Sequence, residues 1–161
     1  MAKKENKTNA MRILETMDIE YEMRTYESDG FIDGVSLAQK LSLPYEQVYK
    51  TLVTVGRRKE YYVFVIPVAE EIDFKKAAKV VGEKSLEMLP LKDLTAVTGY
   101  IRGGCTSVGM KKKFRTTIQE DAILLEKIVV SGGRLGLQLI LKPEDLLAAS
   151  DAEYADVIVA K

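Results

Sequence analysis

Between Gly99 and Phe114 the chain reads GYIRGGCTSVGMKKKF: a glycine pair at Gly103 and Gly104, small hydroxylated residues, a third glycine at Gly109, and then three lysines. Residues of these types in this order suit an anion. Glycines let the main chain approach a ligand closely and take φ > 0, and successive amides in a turn form a concave positive site. The chemistry such a loop can perform is carried by the backbone. Two phosphate loops come close and fail. Gly104 to Gly109 has P-loop glycine spacing, but Met110 stands where the lysine is required and Lys111 where Ser or Thr would bind magnesium. In Ser131-Gly132-Gly133-Arg134-Leu135-Gly136, Ser131 replaces the first glycine of a dinucleotide fingerprint, and the residues that follow alternate as a strand.

The inventory of side chains narrows the chemistry further. The chain has no histidine and one cysteine, Cys105, which removes imidazole or thiolate zinc sites, Ser-His and Cys-His dyads and every histidine base. An enzyme built from it works with Lys, Tyr, Ser, Thr, carboxylates or main chain, and neither metal nor cofactor is expected. A lone cysteine forms no internal disulfide and the start MAKKENKTNA lacks an apolar signal core, so a cytoplasmic setting is expected. No apolar run approaches the roughly 20 residues of a membrane span. The 24 basic residues balance 24 acidic ones, so any pull on nucleic acid is local. Two basic knots exist: Lys111, Lys112, Lys113 and Arg115 beside the glycine loop, and Arg57, Arg58 and Lys59 in a hairpin turn. The first knot suits phosphates; the second reads as a solvated turn.

These residues need a scaffold, and 161 residues suffice for one domain, 1–161. Thr8 caps a helix with apolar positions Met11, Leu14 and Met17; Glu20 to Tyr26 alternates as a strand. A loop of Ser28, Asp29, Gly30, Asp33 and Gly34 is a candidate lid, followed by a helix around Leu37 and Leu41. Val48 to Val55 and Tyr61 to Val68 form a hairpin about Gly56. Asp73 caps a helix from Phe74 to Val81 that Gly82 ends, and Gly99 closes a short helix from Asp93 to Val97. Strands follow near Thr116 to Glu120, Leu125 to Val130 and Leu135 to Leu141. A helix from Pro143 to Ala148 and an edge strand from Val157 to Ala160 complete the chain. Antiparallel strands with interspersed helices and no regular βαβ repeat predict an α+β domain around a mixed, curved, barrel-like sheet.

From Arg24 to Asp156 the chain resembles the YbaK/EbsC family of bacterial Cys-tRNA(Pro) deacylases, which shares its domain with the editing insertion of bacterial prolyl-tRNA synthetases. The resemblance runs through Thr25-Tyr26-Glu27, Gln47-Val48-Tyr49-Lys50-Thr51-Leu52, Ile66-Pro67-Val68-Ala69, Lys75-Lys76-Ala77-Ala78-Lys79, Thr98-Gly99-Tyr100, Gly103-Gly104, Gly109 with Lys111 and Lys112, and Val130-Ser131-Gly132-Gly133.

What the resemblance implies is cleavage of the ester joining a wrongly attached amino acid to the terminal ribose of tRNA, with the acceptor end as partner and prolyl-tRNA synthetase as a further one. It implies Lys50 as the essential lysine, holding the terminal adenosine phosphate or the substrate carbonyl, and Tyr26 as a donor to the ribose or the ester. Gly103 and Gly104 are assigned to the oxyanion site, Gly109 to the shape of the loop, Lys111 and Lys112 to the acceptor path, and Ser131, Gly132 and Gly133 to the opposite wall. For cysteine the family implies substrate-assisted attack by the substrate's own thiol, which leaves Cys105 as loop filling. Two departures stand out: Ser28 where relatives often carry histidine, and Gln138 where they commonly carry Asp. Alanyl or seryl esters, a non-catalytic module binding tRNA ends or prolyl-tRNA synthetase, and a small-molecule esterase stay open as alternatives.

Overall fold

The computed structural model describes residues 7–27 and 33–160. Most of the candidate lid, Ser28 included, lies outside the described residues.

Local chemistry sets the first helix, α1 (Asn9–Thr16): the Thr8 hydroxyl accepts from the Met11 amide, and Ala10, Met11 and Leu14 form its buried stripe. Strand β1 (Glu22–Thr25) follows, then α2 (Gly34–Lys40), capped by the Asp33 carboxylate on the Ser36 amide. The hairpin is β2 (Tyr49–Val55) with β3 (Tyr61–Pro67), paired from Tyr49↔Pro67 to Val55↔Tyr61. Helix α3 (Phe74–Val81) is capped by Asp73 and stopped by Gly82 at φ 78°. Then come β4 (Glu87–Met88), α4 (Leu94–Thr98), β5 (Arg115–Gln119), β6 (Ile128–Ser131), β7 (Leu137–Leu141), α5 (Pro143–Ala149) and β8 (Ala152–Ala155).

The architecture is α+β, but the expected single curved sheet is divided. Five strands in the order β4-β2-β3-β5-β8 make a mixed sheet, antiparallel on the hairpin side and parallel from β3 through β5 to β8. Three strands, β1-β7-β6, make a separate antiparallel sheet, joined to the first by a parallel bridge between Val48 and Val129. Neither sheet closes into a barrel. The main core lies between them, where Leu137, Leu139 and Leu141 of β7 meet Tyr49, Val65, Ile118 and α1.

Two strand assignments shift. The β-branched run after Val157 is not the edge strand: the Asp73 amide donates to Val157 O at 2.8 Å and the Val159 amide to Glu71 O at 2.9 Å, so this segment wraps the approach to α3. The edge strand is β8, whose residues Ala-Glu-Tyr-Ala carry no apolar alternation and are only half-covered. The two-residue β4, too short for a periodic signal, extends the sheet beside Thr54 and Val55.

Candidate active site

A cleft of about 590 Å³ opens where the two sheets part. Beyond the bridge at Val48, strand β2 loses its neighbour and regains one only where Thr54 meets Met88. Among the described residues, no strand covers the edge between. The Val68 amide donates to Val48 O and the Leu89 amide to Val53 O, so main-chain groups of even positions turn toward β3 and those of odd positions away from it. Thr51 therefore presents its N–H and C=O to the gap, and Val48 through Val53 all line the cleft.

Lys50 lies on this edge. Its side chain is half-buried, with Nζ 3.4 Å from Val68 O. Burial lowers the ammonium's pKa below the ordinary lysine value, an effect opposed by the Glu71 and Glu70 carboxylates. Across the cleft, β7 presents Gln138 directly opposite Ser131 of β6 and Arg24 of β1. Gln138 is 3% exposed and lines the cleft, and its carboxamide has no hydrogen-bond partner among the described residues. Its polar atoms open onto the cavity, where a ligand can hydrogen-bond them. Half-buried Tyr26 lines the same cavity; its amide donates to Gly136 O at 3.0 Å, and Lys40 stands 5.9 Å from its ring.

The glycine loop supplies the third wall. The Gly104 amide donates to Ile101 O at 2.9 Å, closing a turn whose third residue, Gly103, has φ 82°. That value is the one a type II turn requires and glycine tolerates. Gly103 and Cys105 line the cleft, and neither amide donates to a described residue. Gly104 is different from the expectation: its amide is committed to the turn, and the residue is buried away from the cavity. A Cβ there would sit 2.9 Å from Arg134 Cα, so this glycine is needed where the two glycine loops press together. The free donors are Gly103 and Cys105, and the second of these follows from the turn rather than from any sequence signal.

Ser131 lines the cleft, as do Asp33 and Gly34 of the candidate lid, whereas Gly109, Lys111, Lys112, Gly132 and Gly133 do not. Gly109 and Gly133 have φ of 78° and 104°; a Cβ would stand 2.7 Å from Asn9 Nδ2 at the first and 3.2 Å from Thr8 Cβ at the second. Gly132 packs on Leu137, and its carbonyl accepts from the Thr8 hydroxyl at 2.6 Å. Asn9 Nδ2 donates to Gly109 O at 2.9 Å. Adjacent residues at the start of α1 thus brace both glycine loops, a role that capping patterns did not reveal. Lys111 is exposed and reaches Ala96 O at 3.3 Å near the end of α4; Lys112 is exposed beside it. Apolar walls come from Met88, Leu89, Leu91 and Leu94. Burial pushes the Cys105 thiol up to about 12, so at neutral pH it is not a thiolate nucleophile.

Against known proteins, residues 34–149 match the model of the aminoacyl-tRNA editing domain. The chain belongs to this family. Over 162 aligned residues it is 44% identical to EbsC of Enterococcus faecalis, named a candidate Cys-tRNA(Pro)/Cys-tRNA(Cys) deacylase, with 98% of each chain covered. Among solved structures, a candidate trans-editing enzyme for prolyl-tRNA synthetase superposes with TM-score 0.80 at 23% identity, covering 97% of this chain and 100% of that one. The hypothetical protein APE2540 superposes with TM-score 0.86 at 18% identity, covering 94% and 100%. These last two share the editing-domain fold. Among the described residues of this editing domain, no helix is long and apolar enough to cross a membrane.

Proposed function

We propose that this protein, a single editing domain over residues 1–161, is a trans-acting deacylase that releases cysteine from Cys-tRNA(Pro) and also accepts Cys-tRNA(Cys). The observation that carries the reading is one cleft bordered by Lys50, Tyr26, Gly103 and Gln138 in an editing domain 44% identical to EbsC along its length. The ester carbonyl sits against the free amides of Gly103 and Cys105. Lys50 lends positive charge to the carbonyl or the adjoining phosphate, Tyr26 hydrogen-bonds the ribose, and the Gln138 carboxamide, beside Ser131, meets the aminoacyl group. Lys111 and Lys112 lie on the path of the acceptor end.

The substrate's thiol sulfur forms a bond to its own ester carbonyl carbon, the tetrahedral oxyanion is held by main-chain donors, and the bond from carbonyl carbon to ribose oxygen breaks. The thiol proton ends on that ribose oxygen, giving free tRNA and a cyclic thioester. No histidine is needed, because the nucleophile and its proton come with the substrate and the donors are preorganised. The setting is the cytoplasm, with prolyl-tRNA synthetase as the partner that supplies mischarged tRNA.

The test uses tRNA(Pro) charged with Cys, Ala or Ser, and the wild-type protein beside Lys50→Ala. Cysteine release lost in the variant, with slower release of Ala and Ser, is expected. Binding of charged tRNA without hydrolysis would favour the second reading, a binding module, to which the neutral Gln138 lends weight.

A further inference from the structure

We infer that the turn of the β2–β3 hairpin and the lysine run before β5 form one phosphate-binding ridge, which holds the acceptor-stem duplex of tRNA while the charged end occupies the cleft. This rests on the cleft being an aminoacyl-tRNA site. It gives a role to Arg57, Arg58 and Lys59, which the sequence alone leaves as a solvated turn.

Sheet register brings the two runs together. Strands β3 and β5 are parallel, with Tyr62 opposite Arg115, so the segments leading into each strand project beyond the same end of the sheet. The contact of Tyr61 with Phe114, rings 5.7 Å apart and edge to face at 83°, ties the two segments together. Arg57, Arg58 and Lys59 lie just before that tyrosine, and Lys111, Lys112 and Lys113 just before that phenylalanine. All six are exposed, and none belongs to the ion pairs formed among the described residues, which join Lys7 to Glu15, Lys76 to Asp156 and Arg115 to Glu153.

The carboxylates at this end, Glu60, Glu83 and Glu87, offset the six basic residues only in part. Glu60 and Glu83 accept from the Tyr62 hydroxyl, at 2.9 and 2.7 Å, and the Glu83 carboxylate also lies against Gly56 at the base of the turn. Glu87, opposite Val55, is left nearby. The ridge also borders the active site, since the cluster holding Tyr61 and Phe114 contains Leu89, Leu94 and Cys105 of the cleft wall. A second groove, elsewhere on the molecule, is bordered by Glu46, Glu70, Glu120, Asp121 and Asp156. Zero net charge thus conceals a polarised surface that welcomes a polyanion on one side. A duplex RNA backbone suits it, because phosphates fix position without reading sequence.

The experiment substitutes Arg57→Gln, Arg58→Gln and Lys59→Asn together; asparagine is chosen because Lys59 has φ 57°, which Asn tolerates. Turnover of Cys-tRNA(Pro) and of cysteinyl-adenosine, which has no stem, is measured with wild type and variant, together with affinity for uncharged tRNA, across about 50–200 mM salt. Expected are a loss of about tenfold in kcat/KM on Cys-tRNA(Pro) and a log–log salt slope shallower by about two. Cysteinyl-adenosine turnover should stay unchanged. An unchanged slope and tRNA rate overturns the ridge, as does equal loss on both substrates. If wild type cleaves neither substrate, the deacylase reading falls while uncharged tRNA still decides: weaker, less salt-sensitive binding by the variant supports the ridge, and equal binding overturns it.

Discussion

Replacing Gly104 with Ala tests whether the turn we propose as the oxyanion site is held by contact between the two glycine loops. An added Cβ would lie 2.9 Å from Arg134 Cα, 3.0 Å from Arg134 C and 3.2 Å from Leu135 N. All three atoms are main chain, so no flexible side chain can swing aside. Overpacking of this kind costs about 1–3 kcal/mol, and each kcal/mol lowers Tm by about 2–4 °C for a chain of this size. Separation of the loops displaces the turn that carries Gly103, which lines the cleft with Ser131 and Gln138. Loss of one oxyanion donor slows catalysis by about 10²–10³-fold, so kcat should fall toward that range. Gly82→Ala is the control: φ is 78° and nothing lies within 4 Å of the added Cβ, so it meets strain without a clash. That strain costs about 1–2 kcal/mol and lies far from the chemistry. Urea unfolding and single-turnover deacylation of Cys-tRNA(Pro) measure both variants. Comparable stability loss with kcat reduced only in Gly104→Ala is expected. Equal kcat in the two variants would refute the argument, since the turn would then not depend on the loop contact.

Three further outcomes follow from side chains at the site. Lys50→Met should abolish deacylation yet raise Tm at neutral pH. The lowered pKa means the unfolded chain holds this proton more tightly, so wild-type stability rises as pH climbs through the depressed value toward 10.5 and the variant's curve lacks that rise; parallel melting curves would count against it. Cys105→Ala should retain turnover, and the wild-type thiol, pushed up to about 12 and buried, should resist iodoacetamide at pH 7 until the protein is unfolded; loss of turnover in the variant would reinstate a catalytic thiol. Asn9→Ala, which removes the 2.9 Å bond to Gly109 O, should cost about 1 kcal/mol and reduce kcat more than KM, read by steady-state kinetics.

The elements legible in the sequence were those whose signals are local. Asp73 with Gly82 bounded α3, and β-branched runs about Gly56 drew the hairpin within a residue or two. Which glycines face the cleft was not legible, because it depends on contacts between residues distant in sequence. Gly103 and Gly104 look equivalent as neighbours, yet one lines the cavity and the other is pressed against Arg134. Gly109 and Gly133 have the φ > 0 that a ligand loop would use, but the space beside them is taken by Asn9 and Thr8. The split into two sheets was hidden for a similar reason: Val48 meets Val129 through one bridge, and no periodicity in either strand marks where pairing stops. That stop is what opens the cleft and leaves the outward main-chain groups of Thr51, which pairs with Val65 on its other side, without a strand neighbour among the described residues.

The site as proposed is built on amides and cannot be erased by trimming a side chain, so its sensitivity to mutation should lie in whatever fixes the backbone. Here the fixation is layered. The Gly104 amide holds the turn through Ile101, Arg134 backs Gly104, and Thr8 and Asn9 tie both loops to α1 through Gly132 and Gly109. The Tyr100 hydroxyl adds a bond to Val108 O at 2.7 Å, and Ser107 meets Ser150 at 2.7 Å beneath the loop. Each of these bonds is worth only about 0.5–1.5 kcal/mol in stability. Their effect on catalysis can be larger, because on this proposal an oxyanion donor displaced by a few tenths of an ångström loses preorganised electrostatic stabilisation. In this domain, residues that never touch the substrate should therefore rank beside Lys50 in their effect on turnover.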